Sequence, residues 1–258
     1  MSSSEPNYPA WPPGLWRRII LQPGPGWIGA ALEDDMHRFH LRFDHAEGRI
    51  TKAHAEALRH PWSACPGAAP HIAGELTGAL LADVAARDPA LHCTHLYDLA
   101  VVLAAHAGDS QPTRFDMRVA DRVDERTTAT MTENGIDVLR WELEGTAITG
   151  GDYAGRDLRK LSGWKQELTL REAERATMLR RAVFISGGRH YDFPAGETAA
   201  NQGPMRMGVC FNYQLPQAAQ STRTPGGFHD FSMSGREPLA GFDPQSVFSA
   251  LGASASAH

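Results

Sequence analysis

The chain has 258 residues, which is long enough for one large domain or two closely packed ones. Its formal net charge of −5 and its lack of a lysine- or arginine-rich cluster argue against a nucleic-acid-binding protein. No apolar run reaches the roughly 20 residues of a membrane span, and the N-terminus lacks the basic-then-apolar layout of a secretion signal. The three cysteines are too few for a disulfide framework, so we expect a cytoplasmic protein with no membrane partner.

The first 60 residues favour β-strands. After an irregular, Pro-rich segment at 1–14, residues 15–21 and 27–32 are expected to be extended. Apolar and polar residues alternate in 36–44, and 50–58 is predicted to be the returning strand of a β-hairpin. This hairpin leads directly into two predicted helices.

A cysteine marks the start of each of these helices. Cys65 precedes Pro66, which is favoured in a first helical turn, and is therefore an N-cap candidate. Cys93 and Thr94 precede apolar residues at helical spacing. Because the positive end of a helix dipole favours an anion, we expect both thiols to have a lowered pKa. Two such cysteines facing each other would form a site; the alternative is that each is a small buried apolar residue.

The remaining chain predicts further strands and one long helix. Short alternating segments lie at 113–119, 127–132, 136–143 and 145–150, and Asn134-Gly135 is a strong hairpin signal. These segments predict an antiparallel sheet.

A capping box of Thr169 and Glu172 predicts a helix that runs to Gly187-Gly188, where a left-handed glycine would end it. The apolar run 205–213, which contains Cys210, has the composition of a buried strand. We therefore expect an α+β fold, in which the N-terminal β-hairpin and two Cys-led helices pack on a mainly antiparallel sheet with one long helix. The expected divisions are an irregular segment at 1–14, one α+β unit at 15–216 (built from 15–107, 113–150 and 157–216) and a loop-rich tail at 217–258 with a disordered end.

Two groups of side chains suit general acid–base chemistry. His95 and Asp98 lie three apart on one predicted helix, so the carboxylate can orient the imidazole. The alternative is a local pair that only stabilises the helix. Asp34 and Asp35 follow Glu33 in an acidic triplet, where neighbouring carboxylates raise one pKa and provide an acid. A solvated turn is the alternative for this triplet.

Two arginines and two aromatic residues are candidates for substrate binding. Arg181 and Arg189 can hold an anionic substrate, or stabilise a helix end as surface charges. Trp62 and Tyr97 would line a pocket between the Cys-led helices and the sheet, if one exists, and would otherwise belong to the core.

Several motifs together resemble those of a bacterial family of unknown function. They are ALEDD at residue 31, CPGA at 65, CTHLYDLA at 93, RRAVFISGGR at 180 and MGVC ending at 210. The resemblance covers nearly the whole chain and implies a single architectural unit, without an established reaction.

Residues 32–107 also resemble the NifU-like iron–sulfur scaffold proteins in topology, with a strand after an acidic turn, a hairpin and two Cys-led helices. The resemblance implies a ligand set at Glu33, Asp35, Cys65, His92 and Cys93, with Glu33 in place of the family's first cysteine. Two thiolates, a carboxylate and an imidazole suit a single zinc-like ion better than an iron–sulfur cluster.

The leading hypothesis is a small-molecule enzyme, a lyase or isomerase, that acts on an apolar or aromatic anion without an organic cofactor. His95, oriented by Asp98, would move the proton, and Asp34 or Asp35 would be the second acid–base group. The two helix-start cysteines would shape or activate the site.

Two alternatives come from other classes of protein. One is a zinc- or iron-binding protein whose ligands are Asp35, Cys65, His92 and Cys93. The other is a non-catalytic binding module for an apolar ligand. The sequence leaves the formation of a homo-oligomer open.

Overall fold

The computed structural model describes residues 11–190 and 196–253. It confirms the predicted α+β class, with one eight-stranded antiparallel sheet and helices packed against it. Each segment predicted to be extended in the first 151 residues is a strand. The strands are β1 Gly14–Gly24, β2 Trp27–Glu33, β3 Arg38–Ala46, β4 Arg49–Arg59, β5 Thr113–Ala120, β6 Arg126–Glu133, β7 Ile136–Glu144 and β8 Ala147–Gly151.

The sheet consists of two antiparallel meanders joined side by side. Its strand order is β4-β3-β2-β1-β5-β6-β7-β8, so β1 and β5 are the strands that join the meanders. The connection from β4 to β5 contains the two helices predicted to follow the hairpin. The helices of the described residues are α1 Ala68–Leu76, α2 Thr94–His106, α3 Leu161–Trp164, α4 Leu170–Ser186, α5 Gln217–Gln220, α6 Phe231–Ser234 and α7 Pro244–Ala253. None of them is long and apolar enough to span a membrane.

All seven residues of β2 are buried. Because successive side chains of a strand point to opposite sides, both faces of this strand must be covered. Ile28, Ala30 and Leu32 join the main core, which also contains the apolar residues of α1, α2 and α4. On the other face, Trp27 and Ala31 pack in a smaller cluster with Phe248 of α7.

The tail therefore contributes to the fold more than its composition predicts. Residues 217–253 contain three short helices, and Phe231 and Phe248 are almost completely buried. Gly29 of β2 has no side chain at the place where the Phe248 ring packs, and an added Cβ would overlap that ring. The loops that the sequence predicts for residues 217–253 thus alternate with these three helices, whereas the predicted disordered end at 254–258 lies outside the described residues.

The predicted strand at 205–213 is wrong. Two single-turn 3-10 helices, Pro204–Arg206 and Phe211–Tyr213, occupy this stretch. Gly208 between them has a φ of 76°, a left-handed conformation that interrupts an extended run. We refer to residues 204–213 as the double-turn segment.

Helix α4 begins as predicted, but it ends differently. The Thr169–Glu172 capping box is formed in full. Gly187 has a φ of −61°, so the expected left-handed glycine is absent at this position. Instead the turn tightens, with the N–H of Gly188 bonded to Ile185 and that of Arg189 bonded to Ser186. This turn directs Arg189 into the interior.

A buried histidine at the end of α2 predicts a pH-dependent stability. His106 Nδ1 lies 2.7 Å from an Asp109 carboxylate oxygen and Nε2 lies 3.2 Å from one of Glu174, while Arg171 also contacts the ring. Burial opposes the charged ring and Arg171 opposes it too, but the two carboxylates outweigh them and raise the pKa of His106. The charged ring therefore adds stability below the ordinary pKa of about 6.5, and this stability is lost as the pH rises through the folded-state pKa.

We expect the wild-type protein to be more stable than His106→Gln at about pH 5.5, and the difference to shrink by about pH 9. Urea denaturation of both proteins at the two pH values measures it. An equal difference at both pH values would contradict the assignment.

Candidate functional site

A cavity of about 430 Å³ lies between the β2–β3 turn, the start of α2, the end of α4 and the double-turn segment. This volume lies within the range of ligand pockets, which is about 300–1,000 Å³. Its walls include five aromatic side chains, those of Phe39, Trp62, Phe184, Phe211 and Tyr213. Its polar lining combines imidazoles, thiols and guanidinium groups with the side chains of Thr94 and Asn212, and no carboxylate of the described residues lines it.

Three thiols line this one cavity. The sequence left open whether Cys65 and Cys93 meet, and the structure places both in the lining together with Cys210. Cys93 is the N-cap of α2, as predicted. Cys65 is instead the first residue of a 3-10 turn, Cys65–Gly67, whose N-cap is Ala64.

The predicted lowering of the thiol pKa values is wrong. Burial raises the pKa of Cys93 to about 12 and raises that of Cys65 well above its usual range. The neighbouring thiols of Cys93 and Cys210 raise the pKa of Cys65 further. Desolvation of a thiolate thus outweighs the helix dipole here, so both cysteines are neutral thiols at neutral pH.

A buried chain of three side chains ends at the cavity. Asp34, in the turn between β2 and β3, accepts a hydrogen bond of 2.5 Å from Arg17 Nη1 through one carboxylate oxygen. The other oxygen lies 2.9 Å from His37 Nδ1 and accepts the backbone N–H groups of Met36 and His37. Arg17 and Asp34 are almost fully buried, whereas His37 lines the cavity.

Asp34 is held in its ionised form. Burial alone would raise the pKa of a carboxyl group, but His37 and Arg17 outweigh it, and the pKa of Asp34 lies well below its usual range. An Asp34 carboxylate fixes the proton of His37 on Nδ1 and leaves Nε2 as the free nitrogen of the ring. No hydrogen bond from the described residues reaches His37 Nε2.

His95 stacks on His37 inside the cavity. The two ring centroids are 3.8 Å apart and the ring planes differ by 29°. His95 Nδ1 lies 3.8 Å from Cys93 Sγ, and His95 Nε2 is buried with no hydrogen-bond partner among the described residues. Burial, followed by the charges of His37 and Arg17, lowers the pKa of His95 well below its usual range. His95 is therefore a neutral imidazole at neutral pH.

The structure does not pair Asp98 with His95. Asp98 instead accepts hydrogen bonds of 2.7 and 3.3 Å from Arg181 on α4. Side chains three residues apart lie next to each other on a helix, but their rotamers can still direct each of them to a different partner. Here His95 faces the β2–β3 turn and Asp98 faces α4, so the proposed dyad is corrected to Asp34 and His37.

Each residue of the acidic triplet is paired with an arginine and buried, so the triplet is not a solvated turn, and the pKa of Asp34 is lowered rather than raised. The pairs, in chain order, are Glu33 with Arg59, Asp34 with Arg17 and Asp35 with Arg189. Arg189 also contacts Asp121 and Asp230. It is thus a buried structural cation rather than a substrate ligand.

The other predicted substrate residues divide between two places. Arg181 and Trp62 line the cavity. Tyr97 donates its hydroxyl to the carbonyl oxygens of Ala85 and Arg87, at 3.1 and 2.9 Å, and does not line it.

The predicted metal-ligand set is not gathered at one point. Cys65 and Cys93 line the cavity, but Asp35 pairs with Arg189 and His92 lines a separate pocket. Among the described residues, one other group has ligand atoms within 4.8 Å of one another, namely Asp34, His37 and His95.

These three residues fit a metal poorly as they stand. Both oxygens of Asp34 already accept hydrogen bonds. An imidazole lone pair lies in the plane of its ring, so the stacked rings of His37 and His95 direct their lone pairs side by side rather than at one ion. The group is better suited to moving protons.

Sequence reasoning missed several of these residues. The alternating pattern of residues 36–44 does not single out His37, and the apolar run 205–213 places Cys210 in a predicted buried strand. The spacing Asp34-x-x-His37 was an available signal, since an aspartate often hydrogen-bonds residues two or three positions later in a turn. Arg17, Arg206 and Arg223 gave no comparable local signal.

Comparison with protein-family models and with curated proteins finds no match to this chain.

Proposed function

We propose that the protein is an enzyme of the lyase or isomerase type that transfers a proton on a small anionic substrate with an apolar or aromatic body. The observation that supports this most directly is the chain Arg17–Asp34–His37, which ends at the cavity. A carboxylate that orients an imidazole is the arrangement that general acid–base catalysis requires.

In this proposal, His37 Nε2 removes a proton from the substrate and returns it at another position or to a leaving group. The Asp34 carboxylate stabilises the imidazolium that forms, and Arg17 keeps that carboxylate ionised and fixed. Neutral His95 offers a hydrogen bond to the substrate through its unpaired Nε2. The Cys93 thiol beside it remains protonated and acts as a neutral neighbour rather than as a nucleophile.

The lining of the cavity indicates the class of substrate. Arg181, Arg206 and Arg223 line the cavity, whereas Asp98, the partner of Arg181, lies outside the lining, so the positive charge of the lining favours an anion. The aromatic walls favour an apolar body beside that charge.

A panel of small carboxylates with an activated C–H bond, such as phenylpyruvate, mandelate and phenylacetate, tests the proposal. We expect at least one to raise the midpoint of thermal unfolding and to exchange its activated hydrogen for deuterium in D₂O, as followed by proton NMR. Stabilisation without exchange would contradict proton transfer and favour the binding module, which the aromatic walls also support. A panel without any stabilisation would contradict the anion site.

A change at Arg181 tests the binding of the anion separately from proton transfer. We expect Arg181→Gln to weaken the binding of a stabilising carboxylate by roughly 10- to 100-fold, or about 1.4–2.8 kcal/mol. Because this change leaves Asp98 without its partner, the control is the double variant Asp98→Asn/Arg181→Gln. Isothermal titration calorimetry measures both. Recovery of full affinity in the double variant would mean that Arg181 does not contact the ligand.

A further inference from the structure

Two residues of the cavity lining each have a buried polar atom without a hydrogen-bond partner among the described residues. These atoms are His95 Nε2 and Asn212 Nδ2. His95 has a role in the proposed function, whereas Asn212 has none. Asn212 is only 3 % exposed, so bulk water does not solvate its amide. Because an unpaired polar group inside a protein is costly, Asn212 Nδ2 points to a ligand atom that accepts its hydrogen bond.

The backbone holds Asn212 in a fixed position in the cavity wall. Asn212 is the middle residue of the 3-10 turn Phe211–Tyr213. The first N–H of this turn donates a 2.9 Å hydrogen bond to the carbonyl of His92, and the last donates one of 2.9 Å to the carbonyl of Cys210. The turn is therefore anchored on both sides of Asn212.

A hydrogen bond from Ser221 determines which end of the Asn212 amide is open. Ser221 Oγ lies 2.5 Å from Asn212 Oδ1, a distance that is usual for an O–H···O hydrogen bond and too short for an N–H···O hydrogen bond. Ser221 Oγ also accepts the N–H of Ala64 at 3.2 Å, so its own hydrogen is available for Asn212. The carbonyl end of the amide is thus occupied, and the open end is a hydrogen-bond donor.

Asn212 lies beside a cationic part of the cavity wall. The guanidinium of Arg223 lies 5.5 Å from the centroid of the Trp62 ring, and the backbones of these two residues pair in an isolated β-bridge. Tyr213, the neighbour of Asn212, packs edge-on against the same ring, with the two centroids 6.0 Å apart. All four residues line the cavity. A ligand oxygen that accepts from Asn212 would therefore have a guanidinium group near it.

The open donor suits a carbonyl oxygen better than a hydroxyl group. A carbonyl oxygen only accepts hydrogen bonds, whereas a hydroxyl group adds a hydrogen that needs an acceptor of its own. Asn212 Oδ1 is already occupied by Ser221, and no carboxylate of the described residues lines the cavity. A carbonyl group also activates the C–H bonds of the neighbouring carbon, which the proposed proton transfer requires.

We propose that Asn212 binds the oxo oxygen of the substrate, and that the substrate is a 2-oxo acid with an apolar or aromatic side chain. This inference rests on the proposed function, and it narrows the substrate from carboxylates with an activated C–H bond to those with a carbonyl group next to the carboxylate. Asn212 Nδ2 donates to the oxo oxygen, and the cavity arginines bind the carboxylate. Ser221 is a positioning residue that keeps the amide in the required orientation.

A matched pair of ligands tests the role of the oxo oxygen. Phenylpyruvate and 3-phenylpropanoate share the phenyl group, the chain length and the carboxylate, and they differ in the oxo oxygen. We expect the wild-type full-length chain to bind phenylpyruvate roughly 10- to 100-fold more tightly, because the other ligand leaves Asn212 Nδ2 unpaired. Isothermal titration calorimetry gives both affinities. Equal affinities would overturn the proposal.

Three variants assign this preference to Asn212. Asn212→Leu removes the amide at a similar side-chain size and should make the two affinities equal, whereas general damage to the cavity would weaken both ligands and keep the preference. A preference that survives in Asn212→Leu would overturn the proposal. Ser221→Ala frees the amide to turn and should reduce the preference severalfold, and it decides the matter if Asn212→Leu does not fold. Asn201→Leu is the same change at an exposed asparagine outside the lining and should keep both affinities.

The outcomes also separate this inference from the proposed function. A preference for phenylpyruvate that depends on Asn212, without protein-catalysed deuterium exchange, would support the oxo-acid site and contradict proton transfer. Catalysed exchange without this preference would support proton transfer and overturn the oxo-acid site. If neither ligand binds, the anion site and the oxo-acid site are both wrong.

Discussion

Replacing Arg17 by methionine is expected to lower the free energy of unfolding by about 3–5 kcal/mol, because it leaves a buried carboxylate without its counter-charge. Arg17 and Asp34 are 1 % and 0 % exposed, so water cannot replace the lost partner. Urea denaturation at neutral pH measures the change. A loss below about 1 kcal/mol would mean that the backbone N–H groups alone hold the Asp34 carboxylate.

The double variant Arg17→Met/Asp34→Asn is the matched control for this prediction. It removes both charges, so we expect it to recover part of the lost stability, since a buried pair costs much of its attraction in desolvation. The lowered pKa of Asp34 also fixes the sign of a pH effect. The pair's contribution is fully present above the unfolded-state pKa of about 3.9 and is lost as the pH falls through the folded-state pKa.

The second large effect concerns His37. We expect His37→Gln to reduce the deuterium exchange of a carboxylate substrate by roughly 100- to 10,000-fold, the usual contribution of a general acid–base group. The substrate's affinity should change little, because glutamine retains a polar side chain and the cavity arginines are untouched. NMR gives the exchange rate and calorimetry gives the affinity.

A second buried histidine supplies the control. His40 lies on β3 only three residues later, pairs with Glu56 and packs against Phe242 rather than lining the cavity. His40→Gln should therefore retain the exchange rate of the wild-type protein. Equal losses in the two variants would indicate a general structural effect and remove His37 from the proposed mechanism.

The strands could be predicted from the sequence because their signal is local. Each pattern of alternation, and the Asn134-Gly135 turn, is contained within a few residues and does not depend on the rest of the fold. The strand predicted in the double-turn segment was wrong because apolar residues of this segment line a cavity instead of joining a sheet. An apolar composition alone does not distinguish a buried strand from a cavity wall. Gly208 was the one local signal against a strand, because glycine often adopts a left-handed conformation.

The errors at the site have a different origin. The pattern of apolar residues at helical spacing correctly placed Cys93 at the start of α2, but it does not contain the burial that raises the pKa of its thiol. The spacing of His95 and Asp98 predicted that these two side chains would pair with each other. Instead, His95 stacks on His37 and Asp98 pairs with Arg181, and both partners come from distant segments of the chain. Partners separated by many residues are set by tertiary packing, which a local pattern does not contain.

The three ion pairs between the acidic triplet and its arginines have a consequence for the order in which the protein folds. Their arginines come from β1, from β4 and from the turn after α4, so the β2–β3 turn is anchored by segments up to 154 positions apart in the chain (35 and 189). Contacts of such long range form late, because the intervening chain must first be ordered. The Asp35–Arg189 pair would therefore form in a late stage of folding, whereas the Arg17–Asp34–His37 chain, which lies within β1, β2 and the turn after them, can form earlier.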